Sequence, residues 1–213
     1  MIRANKRALR KAMRATLGEL PAEDIQFQSQ VIAAKVMALP AFQNSRTFSC
    51  YLSMPTAEVQ TTSLILDILA NKQNKLFVPT VVPENDHMDF VRLHDEQDLH
   101  GLPSGLWGIP QPTAQWNNEK RQSDLDVILL PGVAFDRSLS RLGHGKGYYD
   151  KFLSSYTAAA KRPRPLLVAL ALQQQLLDAG SVPITDTDWK VDMIITPNDI
   201  VTKENLPKDS AKA

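Results

Sequence analysis

Two uninterrupted apolar runs, DVILL at 126–130 and LLVALA at 166–171, constrain this chain more than any other feature. A strand with one wet face alternates polar and apolar residues, whereas a run without polar positions must be covered on both faces. The rest of the pattern supplies the cover. Further strands are predicted at 46–52 (RTFSCYL), 75–82 (KLFVPTVV), 88–93 and 191–195. Helices are predicted at 3–18, 22–39, 61–72, 147–160 and 172–179. This alternation predicts an α/β fold: an open, mostly parallel sheet with helices on both faces, in a Rossmann-like three-layer α/β/α arrangement. Residues 1–202 read as a single domain and the polar stretch 203–213 as a fraying tail. The stretch 101–125 carries Pro103, Pro110 and Pro112 with little periodicity, and reads as a long loop of the kind that is usually functional or disordered.

The stretch RLGHGKGYYD at 141–150 lies between the first buried run and a predicted helix. In open α/β sheets, ligands bind beyond the carboxyl ends of strands, where such loops sit. Gly143, Gly145 and Gly147 allow close backbone approach, and the helix start adds unpaired N–H donors with partial positive charge. Arg141 and Lys146 add fixed charge. Together these point to phosphate, though by neither usual motif. A P-loop needs Ser or Thr after its lysine, and Gly147 stands there; a dinucleotide fingerprint needs a third glycine where Tyr148 stands. The alternative is a plain glycine-rich turn with Tyr148 and Tyr149 packed in the core.

The N-terminal MIRANKRALRKAMRATL holds many cations and no acid before Glu19. Ile2, Leu9, Met13 and Leu17 form an apolar stripe at mostly helical spacing, and Lys6 and Arg10 stand at i and i+4 on one face. A solvated basic face, a mitochondrial targeting segment and an anion site all fit this pattern. Elsewhere the balance is neutral: 213 residues, net charge +1 and one cysteine, Cys50. Such a chain has no long-range pull on nucleic acid or membrane surface and no internal disulfide. It has no run of the roughly 18 apolar residues a membrane span needs. The expectation is a cytoplasmic protein, with a mitochondrial location possible if the N-terminal helix is retained.

RLGHGKGYYDKFL, preceded by DVILLPGVAFDR, resembles the signature of the 5-formyltetrahydrofolate cyclo-ligase (methenyltetrahydrofolate synthetase) family. KRALR at 6–10 resembles that family's N-terminal Lys-x-x-x-Arg. YLSMPTAEVQT at 51–61, GLWGIPQP at 105–112 and TDTDWKVDMIIT at 185–196 resemble three further family segments, in the right order. The resemblance implies ATP-dependent closure of 5-formyltetrahydrofolate, with or without a polyglutamate tail, to 5,10-methenyltetrahydrofolate, with Mg2+ as cofactor and a monomer as the acting unit.

It also implies roles. Lys146 and Arg141 become catalytic cations on the transferring phosphoryl group. Lys6, Arg10 and the loop residues Arg141, Leu142, Gly143, His144, Gly145, Lys146, Gly147, Tyr148 and Tyr149 become the ATP site. Leu52, Met54, Glu58 and Trp107, with His144, Gly145, Lys146, Gly147 and Tyr148, become the folate site, Glu58 accepting two hydrogen bonds from the pterin. Asp150 and Asp188 become the Mg2+ ligands, against the plainer readings of a first-turn helix carboxylate and a solvated loop charge. Leu52 also reads as core, and Trp107 as an anchor for its own loop. One departure is His144, where relatives commonly carry arginine; a histidine is only partly charged near neutral pH. Two other classes stay open at this point: a nucleic-acid-binding module using the basic helix, and a folate-binding regulator without ligase chemistry.

Overall fold

The structure is a computed structural model that describes residues 1–82, 87–105, 108–112, 124–158 and 163–205. In chain order the helices are α1 (Ile2–Gly18), α2 (Ala22–Ala38), α3 (Pro40–Gln43), α4 (Thr62–Ala70), α5 (Glu96–His100) and α6 (Tyr148–Ala158). The strands are β1 (Thr47–Ser49), β2 (Lys75–Val82), β3 (His87–Leu93), β4 (Val127–Leu130) and β5 (Ala134–Asp136). They continue with β6 (Arg141–Leu142), β7 (Leu166–Leu170), β8 (Leu176–Leu177), β9 (Met193–Ile195) and β10 (Ile200–Thr202).

The two apolar runs are neighbours. β4 and β7 pair in parallel, with Val127 opposite Leu166 and Leu130 opposite Ala169. They sit in a seven-stranded sheet of order β10-β9-β7-β4-β1-β2-β3, in which the outer strands β3 and β10 are antiparallel to their neighbours and the rest are parallel. Val127, Leu129, Val168 and Leu170 point into one core with Met13 and Leu17 of α1, Ile32 and Val36 of α2, and Leu64 and Ile68 of α4. Ile128, Leu130, Leu167 and Ala169 point into the other, against Phe152, Leu153 and Tyr156 of α6. Covering both faces is therefore what the missing polar positions report. Each fully buried aliphatic side chain contributes roughly 1.5–3 kcal/mol.

Polar side chains fix where the strands start and stop. The Asp126 carboxylate accepts from the backbone N–H of Arg46 and of Thr47, both at 2.8 Å, and so aligns β1 with β4. Lys35, in the last turn of α2, donates to the carbonyls of Thr196 and Pro197 and ties that helix to the end of β9. A second, three-stranded sheet of order β6-β5-β8 stands beyond the end of β4.

Several expectations change. The helix expected at 172–179 is a 3-10 turn, Gln173–Gln175, followed by β8. Its sequence suits a helix, but the buried Gln175 amide donates to the Gly132 carbonyl at 2.7 Å and its oxygen accepts from Leu172 N–H, so tertiary bonds override propensity. The apolar stripe of α1 starts at Leu9, since Ile2 is 42% exposed. Strand β1 is shorter than 46–52, and α3, α5, β5, β6, β8 and β10 were not anticipated. Of the expected elements, residues 159–160 of the helix at 147–160, 106–107 and 113–123 of the loop at 101–125, and 206–213 of the tail lie outside the described residues; 203–205 form a 3-10 turn. No described helix is long and apolar enough to cross a membrane.

Candidate functional site

Numbered among themselves, the parallel strands β1, β2, β4, β7 and β9 have the order 2-1-3-4-5. The chain leaving β1 runs to α4 on one face of the sheet, and the chain leaving β4 reaches α6 on the other. Their carboxyl ends therefore part, opening the crevice where such sheets bind ligands. The segment 50–61 forms one wall and the glycine loop 143–147 the other.

The loop is presented by a device the sequence did not reveal. Between β4 and the loop the chain makes the hairpin β5–β6. Its turn is held by Asp136, which is fully buried: Oδ1 accepts from Ser138 N–H (2.9 Å) and Ser140 N–H (3.1 Å), and Oδ2 from Val182 N–H (2.9 Å). Beyond β6, Gly145 (φ +112°) and Gly147 (φ +71°) take backbone conformations that side chains resist, and α6 begins at Tyr148. Lys146 is exposed between them, with no ion pair or hydrogen bond among the described residues.

Helix α1 closes the loop from outside. Arg10 Nε donates to the Gly143 carbonyl at 2.8 Å, and its guanidinium lies against Gly145, where an added Cβ would come within 3.4 Å. Lys6, one turn earlier, donates to Asp188 Oδ2. Burial, then the neighbouring Arg14, lower the Arg10 pKa, with Asp188 opposing. Burial alone would raise Asp188, but the Lys6 hydrogen bond and two bonds from Thr185 (N–H 2.6 Å, Oγ1 2.8 Å) outweigh it and hold the carboxyl below the usual range. Arg10 thus meets the glycine loop, while Lys6 on the same helix meets Asp188.

Arg141 is placed differently from the free cation expected of it. Its side chain is 4% exposed; Nη2 donates to Asp150 Oδ2 at 2.9 Å, Nη1 to the Pro131 carbonyl at 3.4 Å, and the guanidinium carbon stands 5.7 Å from the centre of the Tyr149 ring. It supports the loop from beneath. Leu142 is buried in the core, so it offers a ligand only its backbone. Tyr149 has a buried hydroxyl with no hydrogen-bond partner in the described structure, and burial raises its pKa well above the ordinary value. Tyr148 is half-buried beside it.

Across the crevice, Cys50, Tyr51 and Leu52 are buried, Leu52 within the main core. Burial raises the pKa values of the Cys50 thiol and the Tyr51 phenol. Ala57 adopts a left-handed backbone (φ 61°), rare for a residue with a side chain, immediately before Glu58. Glu58 is buried, with a side chain 6% exposed. Its Oε2 accepts from Met54 N–H at 3.0 Å, and its Oε1 faces His144 Nε2 at 3.8 Å. A charged side chain buried this far needs partners, and this one has a spare oxygen turned toward the crevice. Trp107 lies outside the described residues.

Asp150 and Asp188 are linked through Trp189: its backbone N–H donates to Asp150 Oδ1 at 2.9 Å, and it directly follows Asp188. Its indole N–H donates to Ser154 Oγ, a structural contact. Among the described residues there is no group of three or more His, Cys, Asp or Glu side chains that would hold a metal ion by themselves. Both carboxylates are half-buried and already engaged, Asp150 with Arg141 and Trp189 N–H and Asp188 with Lys6 and Thr185; Mg2+ commonly takes one or two carboxylates and completes its shell with phosphate oxygens and water.

Fold and site together define an α/β protein in which a glycine loop and a buried carboxylate face one another at the switch point of the sheet. Comparison with known proteins agrees. The family model described as 5-formyltetrahydrofolate cyclo-ligase matches residues 2–197. The 5-formyltetrahydrofolate cyclo-ligase of Mus musculus is 37% identical over 197 residues, 91% of this chain and 94% of that one. The mitochondrial enzyme of Arabidopsis thaliana is 34% identical over 208 residues, 92% of this chain and 75% of that one. The solved structure of Aquifex aeolicus 5,10-methenyltetrahydrofolate synthetase is 28% identical, with a TM-score of 0.74, covering 98% of this chain and 99% of that one. The chain belongs to the 5-formyltetrahydrofolate cyclo-ligase family, as its motifs implied.

Proposed function

We propose that this chain closes 5-formyltetrahydrofolate to 5,10-methenyltetrahydrofolate at the expense of ATP, with residues 1–202 acting as one catalytic domain. ATP-dependent cyclisation is the reaction of the family. A formyl oxygen is a poor leaving group. Transfer of the γ-phosphoryl group to that oxygen releases ADP; N10 then attacks the formyl carbon, the carbon–oxygen bond breaks, and phosphate leaves with the proton from N10. The observation that carries the reading is the facing of Glu58 and the glycine loop across one crevice, with Arg10 bonded to the loop and Lys6 bonded to Asp188.

The chain's own groups supply alignment and charge, which is most of what phosphoryl transfer requires. Loop N–H groups and the start of α6 receive the triphosphate, with Lys6 and Arg10 on one side. Lys146, unpaired at the loop tip, neutralises the transferring group. Arg141 acts mainly through position, holding Asp150 and the base of the loop. Glu58 anchors the pterin through Oε1, and Met54, Tyr148 and Trp107 flank its faces, while Leu52 lies in the core. Asp150 and Asp188 would hold Mg2+, which when bound shields phosphate charge. These side chains all come from one chain, so a monomer suffices, and neither nucleic acid nor membrane is required. α1 buries Met13 and Leu17 and braces the loop, so it works as part of the fold in cytoplasm or mitochondrion alike.

The test is turnover. The full chain with 5-formyltetrahydrofolate, ATP and Mg2+ should form 5,10-methenyltetrahydrofolate and ADP in equal amounts. ADP release without methenyl product, or binding of folate with no turnover, would contradict the reading, the latter in favour of a folate-binding regulator.

A further inference from the structure

The contact between His144 and Glu58 joins the two substrate sites. His144 rides on the tip of the glycine loop with its side chain 41% exposed; Glu58 belongs to the opposite wall and is 6% exposed. Eighty-six positions separate them in sequence, taking 58 from 144. Glu58 Oε2 is already occupied by Met54 N–H, so Oε1, facing His144 Nε2 at 3.8 Å, is the oxygen left for a ligand. Ion-pair distance without hydrogen-bond distance describes a contact that holds the wall and the loop together yet parts readily.

We propose that His144 is a positioning residue that couples the two substrates: its contact with Glu58 latches the glycine loop to the folate wall, and either substrate must open it. This rests on the assignment of folate to Glu58 and of nucleotide to the loop. A pterin that donates to Oε1 of Glu58 displaces the imidazole. A triphosphate settling into the loop draws the same imidazole toward its own negative charge. Whichever ligand binds first bears the cost of parting the pair, and the second does not. The two ligands therefore favour one another, by a factor of one plus the equilibrium constant for closing the latch, and by linkage the factor is the same in either order. For a pair half open to water, that factor is about two- to fivefold. The consequence is functional: ATP is held more firmly when the folate that will receive its phosphoryl group is already present.

Equilibrium titration of the full chain with a non-hydrolysable ATP analogue, with and without saturating 5-formyltetrahydrofolate, tests this. In the wild type the analogue should bind about two- to fivefold tighter with folate present. His144→Gln should bring that factor to one while folate alone binds at least as tightly as to the wild type, because no latch opposes it. His144→Arg, which supplies a cation of longer reach, should restore the factor. A merely structural histidine would give weakened folate binding in His144→Gln and no recovery by arginine. If both ligands bind the wild type independently, or the factor survives in His144→Gln, the latch is wrong and the proposed function stands. If neither ligand binds the wild type, both fall together.

Discussion

Replacing Asp150 with asparagine should unfold this protein more readily, quite apart from any effect on metal. The Arg141 side chain beneath the glycine loop is 4% exposed, and its only charged partner among the described residues is Asp150 Oδ2 at 2.9 Å. Its remaining contacts are weak: Nη1 reaches the Pro131 carbonyl at 3.4 Å, and Nε is buried without a hydrogen bond in the described structure. An asparagine that keeps its oxygen on Trp189 N–H would turn an NH2 donor toward the guanidinium, opposing donor with donor. Removing one member of a buried pair costs about 3–5 kcal/mol. Asp150 is 20% exposed, so water can reach the guanidinium in part, and about 2–3 kcal/mol is the better figure. For a chain of this size that lowers Tm by roughly 4–12 °C. Thermal and urea melts of Asp150→Asn, Arg141→Met and the double variant would measure it. The double variant should recover much of the loss, since no buried charge is then stranded. An unchanged Tm in Asp150→Asn would refute the argument and leave Asp150 free to serve metal alone.

Two further outcomes follow from α1. Arg10→Ala removes a charged donor from the Gly143 carbonyl and should raise the ATP KM by roughly ten- to a hundredfold, about 1.5–3 kcal/mol, whereas exposed Arg3→Ala should stay near wild type in the same steady-state assay. Asp188 has a folded pKa below its ordinary 3.8, so the stability it contributes is present above that value and disappears as pH falls through the lowered one. Lys6→Met should move that loss to higher pH in urea melts across the acid range; an unshifted acid limb would deny the Lys6–Asp188 pair its role.

What the sequence disclosed and what it withheld have physical causes. DVILL and LLVALA announced buried strands because an all-apolar run has no other economical place, and β2 was found at its true bounds, Lys75–Val82. Lys6 and Arg10 were legible as a pair because helix periodicity places i and i+4 on one face; Arg10 meets the loop at Gly143, while Lys6 pairs with Asp188. The hairpin β5–β6 escaped notice because its strands span only three and two residues, too few to show a period. Its organiser, Asp136, acts through three backbone N–H groups, one of them 46 residues away, and no local pattern announces such bonds. Gln175 escaped for the same reason, its buried amide bonds turning a helix-like segment into a 3-10 turn and a strand. The approach of His144 to Glu58 depends on how two loops end at the switch point, which is settled by strand order and not by either segment.

The most direct test of the central claim, that the formyl oxygen is phosphorylated in this crevice, follows that oxygen. With 5-formyltetrahydrofolate carrying oxygen-18 in its formyl group, one turnover should deliver the label to the released inorganic phosphate, because the carbon–oxygen bond breaks after the phosphorus–oxygen bond has formed. Mass analysis of the phosphate reads this directly. One labelled oxygen per phosphate is the predicted result. Unlabelled phosphate, with the heavy oxygen found in water, would mean that ATP is hydrolysed apart from the folate, and would contradict the account.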